Sequence, residues 1–559
     1  MRLSPALRFL LVLLSLLAPS AGGAQTAPAA QTTPDAQAVP GSPIDDSLHQ
    51  ADAAFHAGYA ALQAGNLEQA RAQFTQASRL APQIPEAHEA LADVLIQLGK
   101  PGDAIPEFEA ALKLTGPRAD LLDDVGSLYA QQSDWAQARA QFEHALAADP
   151  AYNLARIHLG VVLRQQRETD AALATLADAA TRDPANALGQ LEYGRALAAS
   201  GQDEAALPHL QQATQISPEL RGAQLELAMT LQRLGLEQEA IPAFQKALAA
   251  EPRNIDALTN LGLALTLTGK AKDALAYFKQ ALALAPQNPT VHKDQGVAHV
   301  QLSAFDEAID DFKAALALDP NDSQLHYDLG MAYKFKDRVD DAIAELTRAG
   351  QMDPTLQDPP YTLGILYMQI GKLDEAVVEL RKAVALRPEN GDAWAILGST
   401  LKQDSRLDES REALEKAIPL LRGQPGPLVT LAGVLAEQAA SASQAADTAE
   451  AAGDHQKAEQ LRAQVKDLRA QAAEYRRQGA DLARGAVNRQ KANFAMNAGN
   501  QLMLRGQIAD AIARYQEAIA ADPTFAEPHA QLAIAFDRQG RSAEADAERR
   551  KATDLPQPQ

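Results

Sequence analysis

Proline recurs at a constant interval of 34 residues through most of this chain. The prolines in this register are Pro82, Pro150, Pro184, Pro218, Pro252, Pro286, Pro320, Pro354 and Pro388. A fixed period of about 20–50 residues is the sequence signature of a repeat array. At 559 residues the chain is also too long for a single ordinary hydrophobic core. The spacing therefore predicts many similar modules in a row.

Each repeat carries the same pattern of small and apolar residues. With Ile255 counted as position 1, positions 7, 8, 11, 20, 24, 27 and 32 are Leu261, Gly262, Leu265, Ala274, Phe278, Ala281 and Pro286. The equivalent residues of two other repeats are Val125, Gly126, Tyr129, Ala138, Phe142, Ala145 and Pro150, and Leu329, Gly330, Tyr333, Ala342, Leu346, Ala349 and Pro354. Positions 7, 8 and 11 follow the helical period, and so do positions 20, 24 and 27. We therefore expect two helices with facing apolar sides. A glycine near position 15 supplies the turn, and the proline ends the second helix.

These positions resemble the pattern of the tetratricopeptide repeat family, from about residue 51 to residue 555. The resemblance implies an all-α fold, in which antiparallel helix pairs stack into a right-handed superhelical solenoid. It also implies that the first helices line the concave side, with positions 2, 5, 6, 9, 12 and 13 facing inward. One hairpin cannot cover its own apolar face, so stability must come from stacking on its neighbours.

The register divides the chain into segments. Eleven regular repeats are predicted for residues 51–424, with starts at residues 51, 85, 119, 153, 187, 221, 255, 289, 323, 357 and 391. The register then fails, and residues 425–491 are expected to form one elongated antiparallel helical hairpin. Residues 492–555 are expected to form two more repeats, the last of which ends in a polar helix that caps the array.

The elongated hairpin is inferred from a helix–helix seam. Its descending arm alternates steps of four and three residues: Leu461, Val465, Leu468, Ala472, Tyr475, Gly479, Leu482 and Ala486. The ascending arm offers Leu435, Gln438, Ala442, Ala445, Ala449 and Ala452. We expect the tip near Gly453 and Asp454. Residues 454–491 hold nine Lys or Arg against five acids, so this arm is either a docking site for an acidic partner or another copy of the chain, or a solvated helix face.

The first 24 residues have the pattern of a secretory signal peptide. Arg2 and Arg8 precede or flank a short apolar run, and small residues precede a cleavage site at Gln25. Ten apolar residues are too few to span a bilayer, so no membrane insertion is expected after cleavage. Residues 25–48, rich in Pro and Ala, are expected to be a disordered lead-in. The chain is therefore predicted to be exported, to the periplasm or outside the cell.

Charge and cysteine content restrict the partners. Loss of the two signal-peptide arginines leaves 49 basic and 72 acidic residues, a net charge of −23. This charge disfavours nucleic acid and anionic lipid. The chain has no cysteine, which excludes disulfides, thiolate metal sites and a cysteine nucleophile. A protein or peptide segment, in particular a basic one, is the expected partner.

No catalytic, cofactor or metal motif is present in the sequence. HExxH and GxxxxGK[ST] are absent, and no GxGxxG lies in a strand context. His292, His299 and His326 could suggest a metal cluster, but they occupy positions 4, 11 and 4, where packing residues are expected. We therefore predict neither a metal site nor a cofactor, and no enzyme activity.

An acidic row marks the expected concave surface. Position 6 of the repeats from 119 to 323 is Asp124, His158, Glu192, Glu226, Asn260, Asp294 and Asp328. Glycosyltransferase relatives that grip extended peptides carry asparagines at this position, and only Asn260 matches them here. A carboxylate accepts hydrogen bonds from N–H groups but donates none, so the row favours basic or N–H-rich ligands. The alternative is that an acidic protein places acids wherever water reaches.

A second candidate site is an apolar patch in the repeats that start at 323 and 357. It comprises Tyr327, Met331, Phe335, Tyr361 and Met368. Aromatic and methionine side chains suit adaptable gripping of a protein segment. Together the two sites indicate a non-catalytic adaptor that binds a protein segment in an acidic groove. The alternatives are a structural component of an envelope assembly or polysaccharide-export machine and, less well supported, an enzyme with an unrecognised site.

Overall fold

The structure, a computed structural model, describes residues 43–555. Within these residues the chain forms 27 α-helices and no strand, which confirms the predicted all-α class. The helices are α1 (Pro43–Gln63), α2 (Leu67–Leu80), α3 (Pro85–Gln97), α4 (Pro101–Thr115), α5 (Ala119–Gln131), α6 (Trp135–Ala148), α7 (Asn153–Gln165), α8 (Thr169–Arg182), α9 (Ala187–Ala199), α10 (Asp203–Ile216), α11 (Ala223–Arg233), α12 (Glu237–Ala250), α13 (Ile255–Leu267), α14 (Ala271–Leu284), α15 (Pro289–Gln301), α16 (Phe305–Leu318), α17 (Ser323–Phe335), α18 (Val339–Met352), α19 (Asp358–Gln369), α20 (Leu373–Leu386), α21 (Gly391–Gln403), α22 (Leu407–Leu420), α23 (Pro425–Ala451), α24 (His455–Leu504), α25 (Ile508–Ala521), α26 (Ala526–Arg538) and α27 (Ser542–Asp554).

The N-terminal region differs from the sequence-based expectation at one boundary. Helix α1 begins at Pro43, inside the segment 25–48 that the sequence assigns to a disordered lead-in. Proline is favourable in the first turn of a helix, and no glycine or proline follows before Ala51. The predicted signal peptide, residues 1–24, and residues 25–42 lie outside the described residues. From residue 43 to residue 555, no helix combines the length and the apolar character that crossing a bilayer requires.

The described helices fall into two compact parts, α1 to α15 and α16 to α27, divided after Leu302 and called here the N-terminal and C-terminal parts. Inside each part, consecutive helices pair as hairpins, and each hairpin packs on the next. Most first helices start on the 34-residue spacing, whereas α11 and α19 start at Ala223 and Asp358, two residues and one residue late. A left-handed Gly222 precedes α11, and prolines occupy the first turn of α19.

Close approach of the two helices in a hairpin depends on glycine at position 8. In the repeat that starts at 255, a Cβ on Gly262 would lie 2.5 Å from Cε1 of Phe278, whose ring is fully buried. The ring at position 24 therefore fills the space that a side chain at position 8 would take. Dense packing of this kind leaves little room for an added methyl group.

The turn inside each hairpin requires a left-handed residue at position 15. Gly269 has φ +77° there, and a Cβ on it would meet no atom within 4 Å. In five repeats a residue other than glycine takes the same conformation, and these residues are Ser133, Arg167, Ser303, Asp337 and Ser405, with φ between 54° and 63°. The backbone geometry is thus imposed by packing of the two helices, even where the residue opposes it.

The C-terminal part contains the elongated hairpin, which confirms this feature of the prediction. It is formed by α23, of 27 residues, and α24, of 50 residues. The tip lies at Gly453, with φ +80°, and at Asp454, which caps α24 by accepting a hydrogen bond from the backbone N–H of Lys457. Residues buried along the seam are Leu435, Ala439, Ala442, Ala446, Ala449, Ala458, Val465, Leu468, Ala472 and Gly479.

Two expectations about this hairpin are wrong. No break occurs at residue 491, because α24 continues without interruption into the first helix of the next repeat. The segment around Lys491 contains no proline, and the glycines on either side of it, Gly485 and Gly499, both lie inside α24, where Gly499 packs against the Tyr515 ring. The seam also ends early, since α23 begins opposite Gly479 and leaves Leu482 and Ala486 at least partly exposed.

Exchange of turn residues tests the left-handed requirement. We expect Arg167→Gly to raise the thermal midpoint, because it removes about 1 kcal/mol of left-handed strain. Gly269→Ala should lower stability by a similar amount, although space is available for the methyl group. Thermal unfolding followed by far-UV circular dichroism measures both. A higher midpoint for Gly269→Ala would contradict this account of the turn.

Candidate functional site

The accessible side of a first helix is well defined in the C-terminal part. On α17, the residues at positions 2, 5, 6, 9, 12 and 13 are partly or fully exposed: Gln324, Tyr327, Asp328, Met331, Lys334 and Phe335. The helix buries Leu325, His326, Leu329, Gly330, Ala332 and Tyr333. The positions that the family resemblance assigns to the concave side are therefore the positions that solvent reaches on this helix.

In the N-terminal part, two of the predicted groove carboxylates are buried. Asp124 is 8% exposed and Glu192 is 4% exposed. Successive first helices contact each other here, α5 with α7 and α7 with α9. This contact covers position 6. The expectation that Asp124 and Glu192 face solvent is therefore wrong.

Two position 6 acids of the N-terminal part, Glu192 and Glu226, form ion pairs between repeats. Glu192 accepts from Arg164 of the preceding repeat at 3.0 Å and from Arg195 on its own helix at 2.7 Å. Arg195 also donates to Glu226 of the following repeat at 3.0 Å. These pairs join α7, α9 and α11, and they neutralise carboxylates that the sequence pattern alone suggests are free. We call this series of partly buried ion pairs the ladder. It gives Glu192 and Glu226 a structural role in connecting successive first helices.

The two arginines are the residues that sequence reasoning missed. Arg164 and Arg195 lie at positions 12 and 9, which the family resemblance also assigns to the concave side, whereas the acidic row comprises position 6 alone. In the repeat that starts at 153, the position 6 residue is His158. Its Nδ1 atom lies 2.7 Å from Oδ1 of Asp123, a buried residue of the preceding repeat. Reading positions 5, 6, 9 and 12 of adjacent repeats together would have shown the alternation of charge.

Asp294 and Asn260 lie outside this ladder. The Asn260 side chain donates to the backbone carbonyl of Asp256 at 2.9 Å, within its own helix. Asp294 is partly buried, and among the described residues no ion pair is found for it. Burial raises the pKa of the Asp294 carboxyl to about 6, although Lys293 beside it acts in the opposite direction. A partly buried carboxylate that lowers stability is a candidate for binding rather than for folding.

The acidic row ends, in the C-terminal part, at a cluster of tyrosines and carboxylates. Burial raises the pKa of Tyr327, and the carboxylates of Asp358 and Asp328 raise it further. The Tyr327 side chain also hydrogen-bonds to Thr362. Asp358 belongs to the next repeat, so the tyrosine at position 5 of one first helix lies beside the aspartate at position 2 of the following one.

The same arrangement recurs one repeat later. Burial raises the pKa of Tyr361, and the carboxylate of Asp392 raises it further. Asp392 is exposed, and Asp358 is 58% exposed with a single long contact, 3.4 Å, to Arg387. We call Tyr327, Asp328, Met331, Asp358, Tyr361 and Asp392 the tyrosine face. Sequence analysis missed the two position 2 aspartates, although their 34-residue spacing could have revealed them.

Two residues of the predicted apolar patch have other neighbours. Phe335 is 53% exposed, and its ring stacks on Phe305 with centroids 5.0 Å apart. The sulfur of Met368 accepts a hydrogen bond from the Thr400 hydroxyl at 3.4 Å. Phe335 thus belongs to a stacked pair near the turns, while Met368 contacts the next first helix. The patch is less continuous than its sequence spacing suggests.

Two of the three histidines considered as metal ligands, His292 and His326, contact the backbone of the preceding turn. Nε2 of His292 lies 3.0 Å from the carbonyl oxygen of Pro286, and Nε2 of His326 lies 3.4 Å from that of Pro320. Other position 4 side chains bond the preceding proline carbonyl in the same way: His88, Arg156, Gln190 and Trp394. Across residues 43–555, no group of three or more His, Asp or Glu side chains could hold a metal ion.

The Asp294 carboxyl gives stability a specific pH dependence. Its folded pKa of about 6 exceeds the unfolded value of 3.8, so the folded state binds more protons between these values and loses stability as pH rises through them. We expect Asp294→Asn to stabilise the protein by up to about 3 kcal/mol above pH 6. The gain should vanish below about pH 4. Unfolding titrations at several pH values measure this, and a gain independent of pH would contradict it.

The repeats of this chain match patterns shared with known proteins. The tetratricopeptide repeat pattern matches residues 55–119, 126–187, 159–220, 225–289 and 361–425, about half of the chain. A second tetratricopeptide repeat pattern matches residues 299–362, and a TPR repeat pattern matches residues 499–540. These matches leave out residues 426–498, which form most of the elongated hairpin. A search of curated proteins gives no match.

Similar solved structures cover about a third of the chain. A crystal structure of MamA is 24% identical, with a TM-score of 0.28, and the match covers 29% of this chain and 94% of that one. MamA from Desulfovibrio magneticus RS-1 is 21% identical, with a TM-score of 0.29 and coverage of 30% and 94%. A thermophilic TPR protein from Thermus thermophilus is 25% identical, with a TM-score of 0.27 and coverage of 33% and 100%. On its repeated sequence pattern and its paired helices, the chain belongs to the tetratricopeptide repeat family.

Proposed function

We propose that this chain is a non-catalytic scaffold of the bacterial cell envelope that binds a protein segment on its tyrosine face. The observation that carries the proposal is that, in two successive repeats, a partly buried tyrosine at position 5 lies near enough to an exposed carboxylate of the next repeat for that carboxylate to raise the tyrosine's pKa. The pairs Tyr327 with Asp358 and Tyr361 with Asp392 offer hydrogen-bond acceptors and apolar surface at the repeat spacing. A bound segment that runs across α17, α19 and α21 would meet both pairs.

The chemistry of this face defines the segment. Its carboxylates accept hydrogen bonds from N–H groups and attract Lys or Arg. Tyrosine rings and the flexible Met331 side chain bury apolar groups with little loss of conformational freedom in the rings. The expected ligand is therefore a protein segment with basic and apolar residues.

The envelope location is supported by the sequence of residues 1–24, which has the pattern of an export signal. N-terminal sequencing of the protein recovered from the periplasm or medium tests it. A first residue of Gln25 is expected. Recovery from the cytoplasm with Met1 retained would refute the location without affecting the binding proposal.

A second candidate function is that of a structural component of an envelope assembly. The elongated hairpin favours it, because α23 and α24 extend well beyond the 13 or 14 residues of most helices in the array. Stable co-purification with an envelope complex, lost when residues 439–487 are removed, would be its signature. The scaffold function predicts instead that segment binding survives this deletion.

Charge reversal on the tyrosine face tests the main proposal. Asp392→Lys should weaken binding of a captured basic segment by about 1 kcal/mol or more, roughly fivefold, and Asp358→Lys should act similarly. Both side chains are exposed, so the fold should remain intact. Glu389→Lys is the matched control, since this exposed acid precedes α21 and its substitution changes the net charge equally.

Photo-crosslinking in envelope extract identifies the segment that these variants then probe. A crosslinker at position 331 should capture one segment, and a crosslinker at position 378 should not. Val378 is 53% exposed but lies on α20, a second helix, and so controls for exposure alone. Identical products at both positions, or equal affinity for the Asp392→Lys variant and the control, would refute the proposal.

A further inference from the structure

Position 3 of the first helix is buried wherever one repeat follows another. The residues at this position are Ala87, Leu121, Ala155, Gly189, Ala223, Ala257, Val291, Leu325, Pro359, Ala393, Pro427 and Pro528, and all of them are buried. The exceptions are Ala53, in the first repeat, and Phe494, which is 79% exposed. Among the described residues, no repeat precedes that of Ala53. Phe494 shows that the repeat beginning at residue 492 also has nothing stacked on that side.

Continuity of α24 explains the exposure of Phe494. Elsewhere the second helix of the preceding repeat packs on the next first helix, as α16 packs on α17. Here α24 supplies both the second helix of the elongated hairpin and the first helix of the repeat that starts at 492. Because the helix is continuous, its N-terminal half cannot fold back to cover Phe494. Helix α23 packs on α24 only as far as Gly479, where an added Cβ would lie 2.9 Å from Cγ2 of Val429. Residues 483–488 are exposed on all sides of the helix.

One face of α24 combines apolar and basic side chains, from Arg476, just before the cover ends, to Arg505 beyond the uncovered length. At about 100° per residue, Arg476, Lys491 and Phe494 point within about 40° of the direction of Val487. All four are exposed, Val487 by 49%. Arg505, the C-cap residue, follows in the same direction. We call these five residues the open face of α24.

The charges of the open face are unsatisfied. Other arginines nearby have partners: Arg484 pairs with Asp481, and Arg489 donates to Asp522. No ion pair is found for Arg476, Lys491 or Arg505 among the residues that the structure describes, and all three are exposed. Three free cations therefore flank two exposed apolar side chains, in a chain with a net charge of −21.

We propose that the open face of α24 binds an acidic amphipathic α-helix of a partner protein, in the place that a preceding second helix occupies in the regular repeats. The helical shape of the ligand follows from what covers position 3 elsewhere in the array. Its apolar stripe follows from Phe494 and Val487. Its negative charge follows from the three free cations. This site is separate from the tyrosine face and does not depend on the function proposed for it.

A symmetric pair of these faces is disfavoured as the occupant. Two copies that met through the open face of α24 would bring Lys491 and Arg505 of each against the same cations of the other. Like charges at an interface oppose association unless the contact pairs them with acids. The acidic helix of another protein meets no such repulsion, and it buries Phe494, an anchor of the kind that dominates interface energies.

The test uses a helix of this chain as the probe. Residues 303–319 include α16, which packs on α17 and carries Asp306, Glu307, Asp310 and Asp311 on an amphipathic helix. A fluorescent peptide of this sequence, titrated with the chain from residue 25 onward, is followed by anisotropy at low and physiological salt. We expect saturable binding that weakens as salt rises.

Substitutions on the open face should weaken this binding selectively. Phe494→Ala should weaken it at least about tenfold, as should Lys491→Glu combined with Arg476→Glu. All three side chains are exposed, so circular dichroism should be unchanged. Val378→Ala, a truncation of an exposed side chain on α20, should leave binding unaltered.

Three results would overturn the proposal. The first is equal affinity for the Phe494→Ala variant, or no detectable binding by the wild-type chain. The second is equally tight binding of a peptide in which glutamine and asparagine replace the acids, since the charge argument would then fail. The third is a dimer in sedimentation velocity that Phe494→Ala dissociates, because the occupant would then be a second copy of the chain.

Discussion

Packing of each first helix on the second helix before it is the interaction on which the rest of the structure depends. A single hairpin of about 34 residues buries too little apolar area to be stable by itself. Small residues serve packing at both levels. Within a hairpin, glycine at position 8 admits the position 24 side chain, as Gly262 does for Phe278. Between hairpins, the residue at position 3 fits against the preceding repeat. Where the packing is absent, at Phe494, an aromatic side chain is left in solvent.

The stacking of repeats also determines which carboxylates have basic partners. Position 6 carboxylates of the N-terminal part come close to bases of adjacent repeats, so Glu192 and Glu226 serve as links between helices. Among the described residues, Asp294 and Asp392 have no ion pair and Asp358 has only a long contact with Arg387, so these three carboxylates are the ones available to a ligand. The surfaces proposed for binding are thus the places where the internal pairing of charges is incomplete.

Most of the fold could be predicted from the sequence, since proline and glycine act locally. The proline spacing predicts the hairpins, and the alternating apolar residues from Val465 to Gly479 predict the elongated one. The left-handed turns at Arg167 and Asp337 could not be read from residue type, because packing imposes a conformation that these residues disfavour. The continuity of α24 also escaped prediction: a helix boundary was expected at residue 491, although nothing in the local sequence stops a helix there.

The candidate site was less predictable. Its tyrosines were identified, but the burial of Asp124 and Glu192 depends on how closely neighbouring first helices approach, and one repeat read alone contains no such information. The same holds for Arg195, whose two partners lie on α9 and α11. Predictions for a stacked array are secure within a repeat and weaken where two repeats share a surface.

Native-state hydrogen exchange resolved along α24 tests the central claim most directly. If stacking rather than helix propensity stabilises the array, amides of residues 483–488, which no other helix covers, should exchange much faster than those near Val465 and Leu468 or near Ala495 and Met503 on the same helix. Uniform protection from residue 461 to residue 503 would show that α24 is stable without its neighbours, and would contradict the account.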